Sequence, residues 1–376
     1  MKIAIICYPS SGGSGIVGTS LGLELAKRGH QVHFIASEVP FKLIGPWKKN
    51  VFYHEVEQFE YPLFDTAPYS LTLANKIYNV VMQNNIQVIN CHYAVPHSLS
   101  AYIAREMVER AGKKVKVVTT LHGTDVSIIG HDPIIKDAVG FTISKSDAIT
   151  SVSKAMVDEA KEAYKLEEKI DVIYNFVDIK PPKKIPEDLK EVFGTNNAKI
   201  ITHMSNFRAV KRIEDVIKVF EEVQKKVDSR LLLIGDGPEQ RTAYKLASKR
   251  GLINKIHFLG LQSSIEKLLS ISHLFLLPSE KENFSLSSLE AMSLGVPVIS
   301  TRVGGMSEMI DHQKNGFLVE VGETSKMAEY AVQVLTDERE YKKISENAKK
   351  KVEENFSVGK IVPQYESLYK RLIANS

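Results

Sequence analysis

The chain has 376 residues, more than one hydrophobic core usually organises, so two domains are expected. Hydrophobic residues at 43% and charged residues at 25% are the proportions of a soluble globular protein, and a net charge of +4 gives no reason to expect nucleic acid. No apolar run approaches the roughly 18 residues of a membrane span, so stable insertion in a bilayer is not expected. The apolar stretch 3–7 leads straight into a glycine-rich loop, as a first β-strand does and a signal peptide does not. Further strand-like runs follow at 32–36, 88–91, 115–121, 148–151 and 170–174. Helical stretches such as 16–28 and 69–84 fall between them, the pattern of a doubly wound parallel sheet. Around Pro181-Pro182-Lys183-Lys184 the chain turns polar and proline-bearing, as a linker or hinge does. The pattern then restarts at 200–204, 231–234, 256–259, 274–277 and 298–300. The expected fold is α/β, with two Rossmann-like doubly wound domains facing an interdomain cleft that holds the ligand. Cys7 and Cys91 each end a strand-like run and are expected to be buried thiols in a reduced cytoplasm.

Several loops at strand ends carry chemistry. Gly12-Gly13-Ser14-Gly15 follows the first strand and opens a helix, where backbone N–H groups approach an anion closely. Gly13, Gly15 and Gly18, with Glu38 about 20 residues on, also spell a dinucleotide fingerprint. An NAD-dependent oxidoreductase is therefore the rival reading of this loop. Tyr93, in His92-Tyr93-Ala94-Val95-Pro96-His97, and Thr120 stand at or near the ends of the next strands. Together with Ser14 they are the expected acceptor contacts. His122, in Leu121-His122-Gly123-Thr124-Asp125, is placed to donate to a sugar hydroxyl or to developing charge. His92 and His97 are read as mostly structural. In the second half, Asn206-Phe207-Arg208-Ala209-Val210-Lys211-Arg212 puts three cations within five residues at a strand end, a clamp for a diphosphate. The segment Val39 to Lys49 mixes apolar residues, Trp47 and three lysines, but its two prolines and glycine favour a loop over a continuous amphipathic helix.

Glu282 and Glu290 are the most informative pair. Glu282 follows the 274–277 strand, and Glu290 falls in a helix expected from Ser285 to Gly295. Two acceptor-only carboxylates beside a helix N-terminus suit a ligand with many hydroxyls and a phosphate, such as a nucleotide sugar. No two aspartates stand two positions apart, so the Asp-x-Asp metal motif is missing and no metal or other cofactor is expected.

These residues resemble retaining glycosyltransferases of the glycogen-synthase-like family, family 4 with the GT-B fold. The likeness extends over Gly-Gly-Ser-Gly, His-Gly-Thr-Asp, Tyr174-Asn175-Phe176-Val177-Asp178, Glu282 with Glu290, and Gly304-Gly305-Met306-Ser307-Glu308. The resemblance implies an acceptor-side domain of residues 1–178 plus 358–376 and a nucleotide-sugar domain of 179–357, the last helix crossing back to the first domain. It implies His122, Glu282, Lys211 and Arg208 as catalytic groups. Donor contacts would come from Gly13, Ser14, Gly15, Asn206, Arg208, Lys211, Glu282, Asn283, Phe284, Ser285, Leu286 and Glu290, with Glu290 on the ribose. The Cys-Tyr-Pro-Ser, His-Tyr-Ala-Val-Pro-His and Ser-Asn-Phe-Arg segments resemble the branch that begins bacillithiol biosynthesis. That implies UDP-N-acetylglucosamine as donor and L-malate as acceptor; a different acceptor stays open, as does a homodimer. Two departures stand out. Asn206 stands where many relatives carry an Arg, and Ser285 where most carry a Gly, which would be uncomfortable if that backbone had positive φ.

Overall fold

The computed structural model describes residues 1–375 apart from 11, 47, 60, 61, 63–65, 183, 185–188, 190–192, 194–197 and 263. Ser11 of the glycine-rich loop, Trp47 and Lys183 of the expected linker lie outside the described residues. The chain forms two compact units, Met1–Asn175 with Val358–Ser376, and Phe176–Ser357.

The first unit holds a seven-stranded parallel sheet in the order β3-β2-β1-β4-β5-β6-β7. Its strands are β1 (Lys2–Ile6), β2 (Gln31–Ala36), β3 (Val51–Glu55), β4 (Val88–His92), β5 (Lys116–Leu121), β6 (Ala148–Ser151) and β7 (Ile170–Val172). Crossover helices cover such a sheet on both faces, so the central strands are near-continuous apolar runs, as Ile3 to Ile6 are, each fully buried. The chain winds outward from β1 to one side and, after β3, from β4 to the other. The β1/β4 junction is therefore the topological switch point, where loops part and a ligand crevice opens. β3 was not expected: Val-Phe-Tyr-His-Glu is an edge strand in which only Val51 is buried.

The helix Val358–Ala374 belongs to this unit although it ends the chain. It buries Ile361, Val362, Tyr365, Leu368 and Tyr369, and its Glu366 accepts from Arg28 at 3.1 Å. Arg371 pairs with Asp171 at 3.2 Å. In the 39–49 segment only Phe41–Leu43 is helical, one 3₁₀ turn with Phe41 and Ile44 exposed. Cys7, just after β1, and Cys91 on the neighbouring β4 are buried free thiols, and burial pushes the Cys7 thiol up to about 12.

The second unit holds six parallel strands in the order β10-β9-β8-β11-β12-β13. They are β8 (Lys199–Met204), β9 (Ser229–Ile234), β10 (Ile256–Gly260), β11 (Leu274–Leu277), β12 (Val298–Thr301) and β13 (Phe317–Val319). β13, three residues long, also went unforeseen. Phe207, Phe220, Phe317, Leu231, Leu233 and Ile299 belong to one core. Here the switch point is the β8/β11 junction. Among the described residues, no helix is long and apolar enough to cross a membrane.

Candidate active site

The second unit's switch point brings together the two loops singled out in the sequence. Lys211 lies in the 3₁₀ turn Ala209–Lys211 after β8, and Glu282 in the loop after β11. Lys211 Nζ donates to Glu282 Oε1, and Ser279 Oγ donates to the same oxygen at 2.9 Å. Glu280 N–H donates to the Val210 carbonyl at 2.8 Å, so backbone also ties the loops. An ammonium has three donors, and Glu282 uses one, leaving Lys211 able to serve an anion as well. Asn206 and Arg208 are exposed on the same loop. Arg212 is different: its Nε donates to the buried Asp215 at 2.6 Å, which makes it part of the following helix start.

Ser285 caps the helix Leu286–Ser293, its Oγ accepting from Ser288 N–H at 3.2 Å. Its φ is −75°, so this position makes no demand for glycine and the substitution is unstrained. The demand lies elsewhere. Gly304 has φ +47°, and a Cβ there would overlap the Glu282 carbonyl oxygen. Phe284 is buried and meets Phe356 edge-on at 5.2 Å, which anchors the loop between Glu282 and the helix. Asn283, Leu286 and Glu290 are half-buried. Gly295, at φ +77°, follows the helix as its sequence position predicts.

A contribution the sequence reading missed is the loop after β9, Gly235-Asp236-Gly237-Pro238. Gly237, at φ +156°, would place a Cβ 2.5 Å from the Asn206 carbonyl oxygen. This loop braces the segment carrying Asn206 and Arg208. The Gly-x-Gly-Pro pattern after an apolar strand was the available signal.

In the first unit, the helix Gly13–Lys27 begins three residues before its expected start, with Gly12 as its N-cap. Gly13 is exposed, Ser14 half-buried and Gly15 buried. A Cβ on Gly15 would stand 2.6 Å from the Tyr8 carbonyl oxygen, and one on Gly18 2.9 Å from His92 Cγ. Gly18 therefore serves helix packing against β4, whereas a Cβ on Gly13 would meet no atom within 4 Å. Across the switch point, Tyr93 is half-buried at φ +104°, its hydroxyl hydrogen-bonded to Thr124.

His122 is half-buried, and its Nε2 lies 2.9 Å from His92 Nδ1. Its backbone N–H donates to Asp125 Oδ1 at 3.1 Å, and Gly123 N–H does so at 2.7 Å. Asp125 thus shapes the turn, and its burial pushes its carboxyl up to about 6 against those hydrogen bonds. Burial pushes His122 down to about 3, and neighbouring His97 adds to the shift. Thr120 requires a correction. It is fully buried, accepts from Thr150 Oγ1 at 2.8 Å and donates to Asn90 Oδ1 at 3.0 Å. A hydroxyl enclosed in that ladder cannot meet an acceptor. Among the described residues no three His, Cys, Asp or Glu side chains gather as a metal site.

The histidines make acid stability predictable. Burial is the first cause that lowers His33 to about 4, His97 to about 4 and His203 to about 4, and it also lowers His54, His92, His257 and His312. Such groups take up protons more readily when unfolded, where the value is about 6.5. Their contribution is fully present above that pH and is lost as pH falls toward their folded values. Asp125, raised, acts in the opposite sense, but it is one group against these. The urea midpoint should therefore fall from pH 7 to pH 5 at fixed ionic strength; a flat or rising midpoint would contradict this.

Two parallel α/β units, each with polar loops at its switch point, are the frame of a GT-B glycosyltransferase, and the comparisons agree. Residues 11–180 match the Glycosyltransferase Family 4 domain, and residues 185–351 match Glycosyl transferases group 1. The chain is 44% identical to the N-acetyl-alpha-D-glucosaminyl L-malate synthase of Bacillus anthracis, over 98% of this chain and 96% of that protein. A glycosyltransferase structure from Rickettsia africae superposes with a TM-score of 0.82 at 24% identity, covering 100% of this chain and 99% of that one. Anabaena HepE in complex with UDP-glucose gives 0.83 at 22%, covering 98% and 100%. The chain belongs to glycosyltransferase family 4, and it is an enzyme that transfers a hexosyl group. The NAD-dependent reading of the first loop is thereby overturned.

Proposed function

We propose that the chain transfers N-acetylglucosamine from UDP-N-acetylglucosamine to the hydroxyl of L-malate, with retention at the anomeric carbon. The observation that carries this reading is the 44% identity, end to end, to a relative bearing that activity in its name. The geometry supports it. Lys211, with Arg208 on the same loop, neutralises the diphosphate; Glu290 accepts from the ribose hydroxyls; Glu282 accepts from a sugar hydroxyl. Asn206, Asn283, Phe284, Ser285 and Leu286 form the wall around the donor. In the first unit Gly13, Ser14 and Gly15 present amides to anionic groups, Tyr93 meets the acceptor and His122 donates to the sugar. In this reading no carboxylate serves as a nucleophile, and the leaving β-phosphate accepts the malate proton as the new bond forms on the same face. The protein's work is then positioning and fixed charge. No metal is required in this reading, and the two free, buried cysteines suit a reducing cytoplasm.

The test is UDP release from UDP-N-acetylglucosamine with L-malate, D-malate, succinate, glycerol and inositol phosphate, with and without excess EDTA. L-Malate should be glycosylated in EDTA, and succinate, which lacks the attacking hydroxyl, should inhibit. Faster reaction with glycerol or inositol phosphate overturns the acceptor; strict Mg²⁺ or Mn²⁺ dependence overturns the charge assignment. Glu290→Ala should weaken UDP binding by about 1.5–3 kcal/mol through lost charge-assisted hydrogen bonds. Calorimetry giving wild-type affinity in a folded variant removes Glu290 from the ribose.

A further inference from the structure

Behind His122 runs a chain of hydrogen bonds whose direction can be worked out proton by proton. Thr150 Oγ1 donates to Thr120 Oγ1 at 2.8 Å. The Tyr365 hydroxyl is hydrogen-bonded to both threonines as well, and among these contacts Thr120 Oγ1 donates to Asn90 Oδ1 at 3.0 Å, which orients the amide with its Nδ2 away from Thr120. Asn90 Nδ2 then has two protons and two acceptors, Tyr369 Oη at 2.6 Å and His92 Nε2 at 3.3 Å. A neutral imidazole that accepts at Nε2 carries its proton on Nδ1. His92 Nδ1 lies 2.9 Å from His122 Nε2, so His122 is the acceptor there and its own proton sits on Nδ1. His97 Nδ1 adds a bond to the His92 carbonyl at 3.0 Å that holds the β4 end in place. Asn90, His92, Thr120, Thr150 and Tyr369 are all fully buried.

We propose that this relay holds His122 as the neutral Nδ1–H tautomer, with His92 its positioning residue and Asn90 the group that sets the direction. The inference rests on the reading that His122 faces the transferred sugar. His122 is then a hydrogen-bond donor and not a general base, because its one lone pair is occupied by His92. The acceptor proton must go elsewhere, which agrees with its passage to the leaving phosphate. Tyr369 lies on the helix Val358–Ala374, so the last helix of the chain anchors the relay. Burial, which holds His92 and His122 well below the usual imidazole range, keeps both rings neutral at working pH.

The tautomer is read directly by two-bond ¹H–¹⁵N correlation spectra of the free protein, with the His122 signals assigned by their loss in His122→Gln. The expected spectrum has a protonated Nδ1 and an unprotonated Nε2. Asn90→Asp should reverse it, because a carboxylate accepts from His92 Nε2–H, leaving His92 Nδ1 to accept from His122 Nε2–H. His92→Phe should lower kcat about 10- to 100-fold, as for partners that orient a ligating imidazole, with KM for UDP-N-acetylglucosamine little changed. His92→Gln, which keeps an N–H donor, should recover part of that loss. A wild-type His122 protonated at Nε2, or an unchanged kcat in His92→Phe, overturns the proposal. The spectrum needs no substrate and stands even where Asn90→Asp fails to fold. If L-malate proves not to be the acceptor, the tautomer result is untouched; if the tautomer is wrong, the transfer reaction is untouched.

Discussion

Lys211→Met should lower kcat/KM for the nucleotide sugar by about 10²- to 10³-fold, the scale seen when one fixed donor to a developing oxyanion is removed. The argument starts from position. Lys211 stands at the β8/β11 switch point, its side chain 16% exposed, beside a carboxylate that is 9% exposed. That pairing keeps a flexible ammonium in one place before any ligand arrives, so little is lost in ordering it when the diphosphate binds. In the proposed reaction, charge grows on the β-phosphate as the glycosidic bond breaks, and Lys211 is the sheltered cation that would meet it. Lys211→Arg keeps the charge on a larger planar group and should recover only part of the rate. The same substitution to Met also strands Glu282, a largely buried carboxylate that still accepts from Ser279, at a cost of about 1–3 kcal/mol. Adding Glu282→Gln should restore the urea midpoint without restoring the rate. A Lys211→Met enzyme within about threefold of wild type by steady-state kinetics would remove this lysine from the transition state, since its proposed share is of order 10² or more.

That meeting of Lys211 and Glu282 was legible in the sequence because it depends on strand order alone. Alternating apolar runs fix a doubly wound sheet, and the loops at its switch point follow. Elements lacking that signature were not legible: β3 is an edge strand ending in His54 and Glu55 with only Val51 buried, and β13 is three residues long. Thr120 was misread for a related reason. A strand end is a ligand position only if nothing covers it, and the cover comes from Asn90, Thr150 and a helix that ends the chain. Tyr369 lies 279 residues from the asparagine it accepts from, a separation over which no local pattern carries information. Ser285 shows the converse. The resemblance raised a fear of strain, but the local geometry is an ordinary N-cap at φ −75°, and Ser is among the preferred residues there. The glycine that the Glu282 loop demands is Gly304, on the next loop.

Gly304→Ala should therefore damage the donor site as severely as loss of a charged group, although it removes no chemistry. At φ +47° any side chain is disfavoured, costing about 1–2 kcal/mol. The larger effect is collision. The new Cβ would overlap the Glu282 carbonyl oxygen, with the Glu282 carbonyl carbon at 3.0 Å and Asn283 Cα at 3.5 Å. These are backbone atoms, so no rotamer change relieves the contact. Gly305 N–H donates to that same carbonyl at 3.2 Å, and a shift that clears the methyl must stretch this bond. The Glu282–Asn283 segment then moves, carrying the Glu282 carboxylate away from Lys211 and Ser279. A displacement of about 1 Å in a positioning loop is worth about 10²-fold in rate. Gly251 supplies the control within the same unit. It has φ +68° but no atom within 4 Å of a Cβ, so Gly251→Ala meets the backbone cost without the collision. Urea midpoints for the two variants should both drop, Gly304→Ala further. UDP affinity by calorimetry and the transfer rate should fall only in Gly304→Ala. Equal UDP affinity in the two variants would mean that the Glu282 loop tolerates the methyl group and that its backbone does not set the donor site.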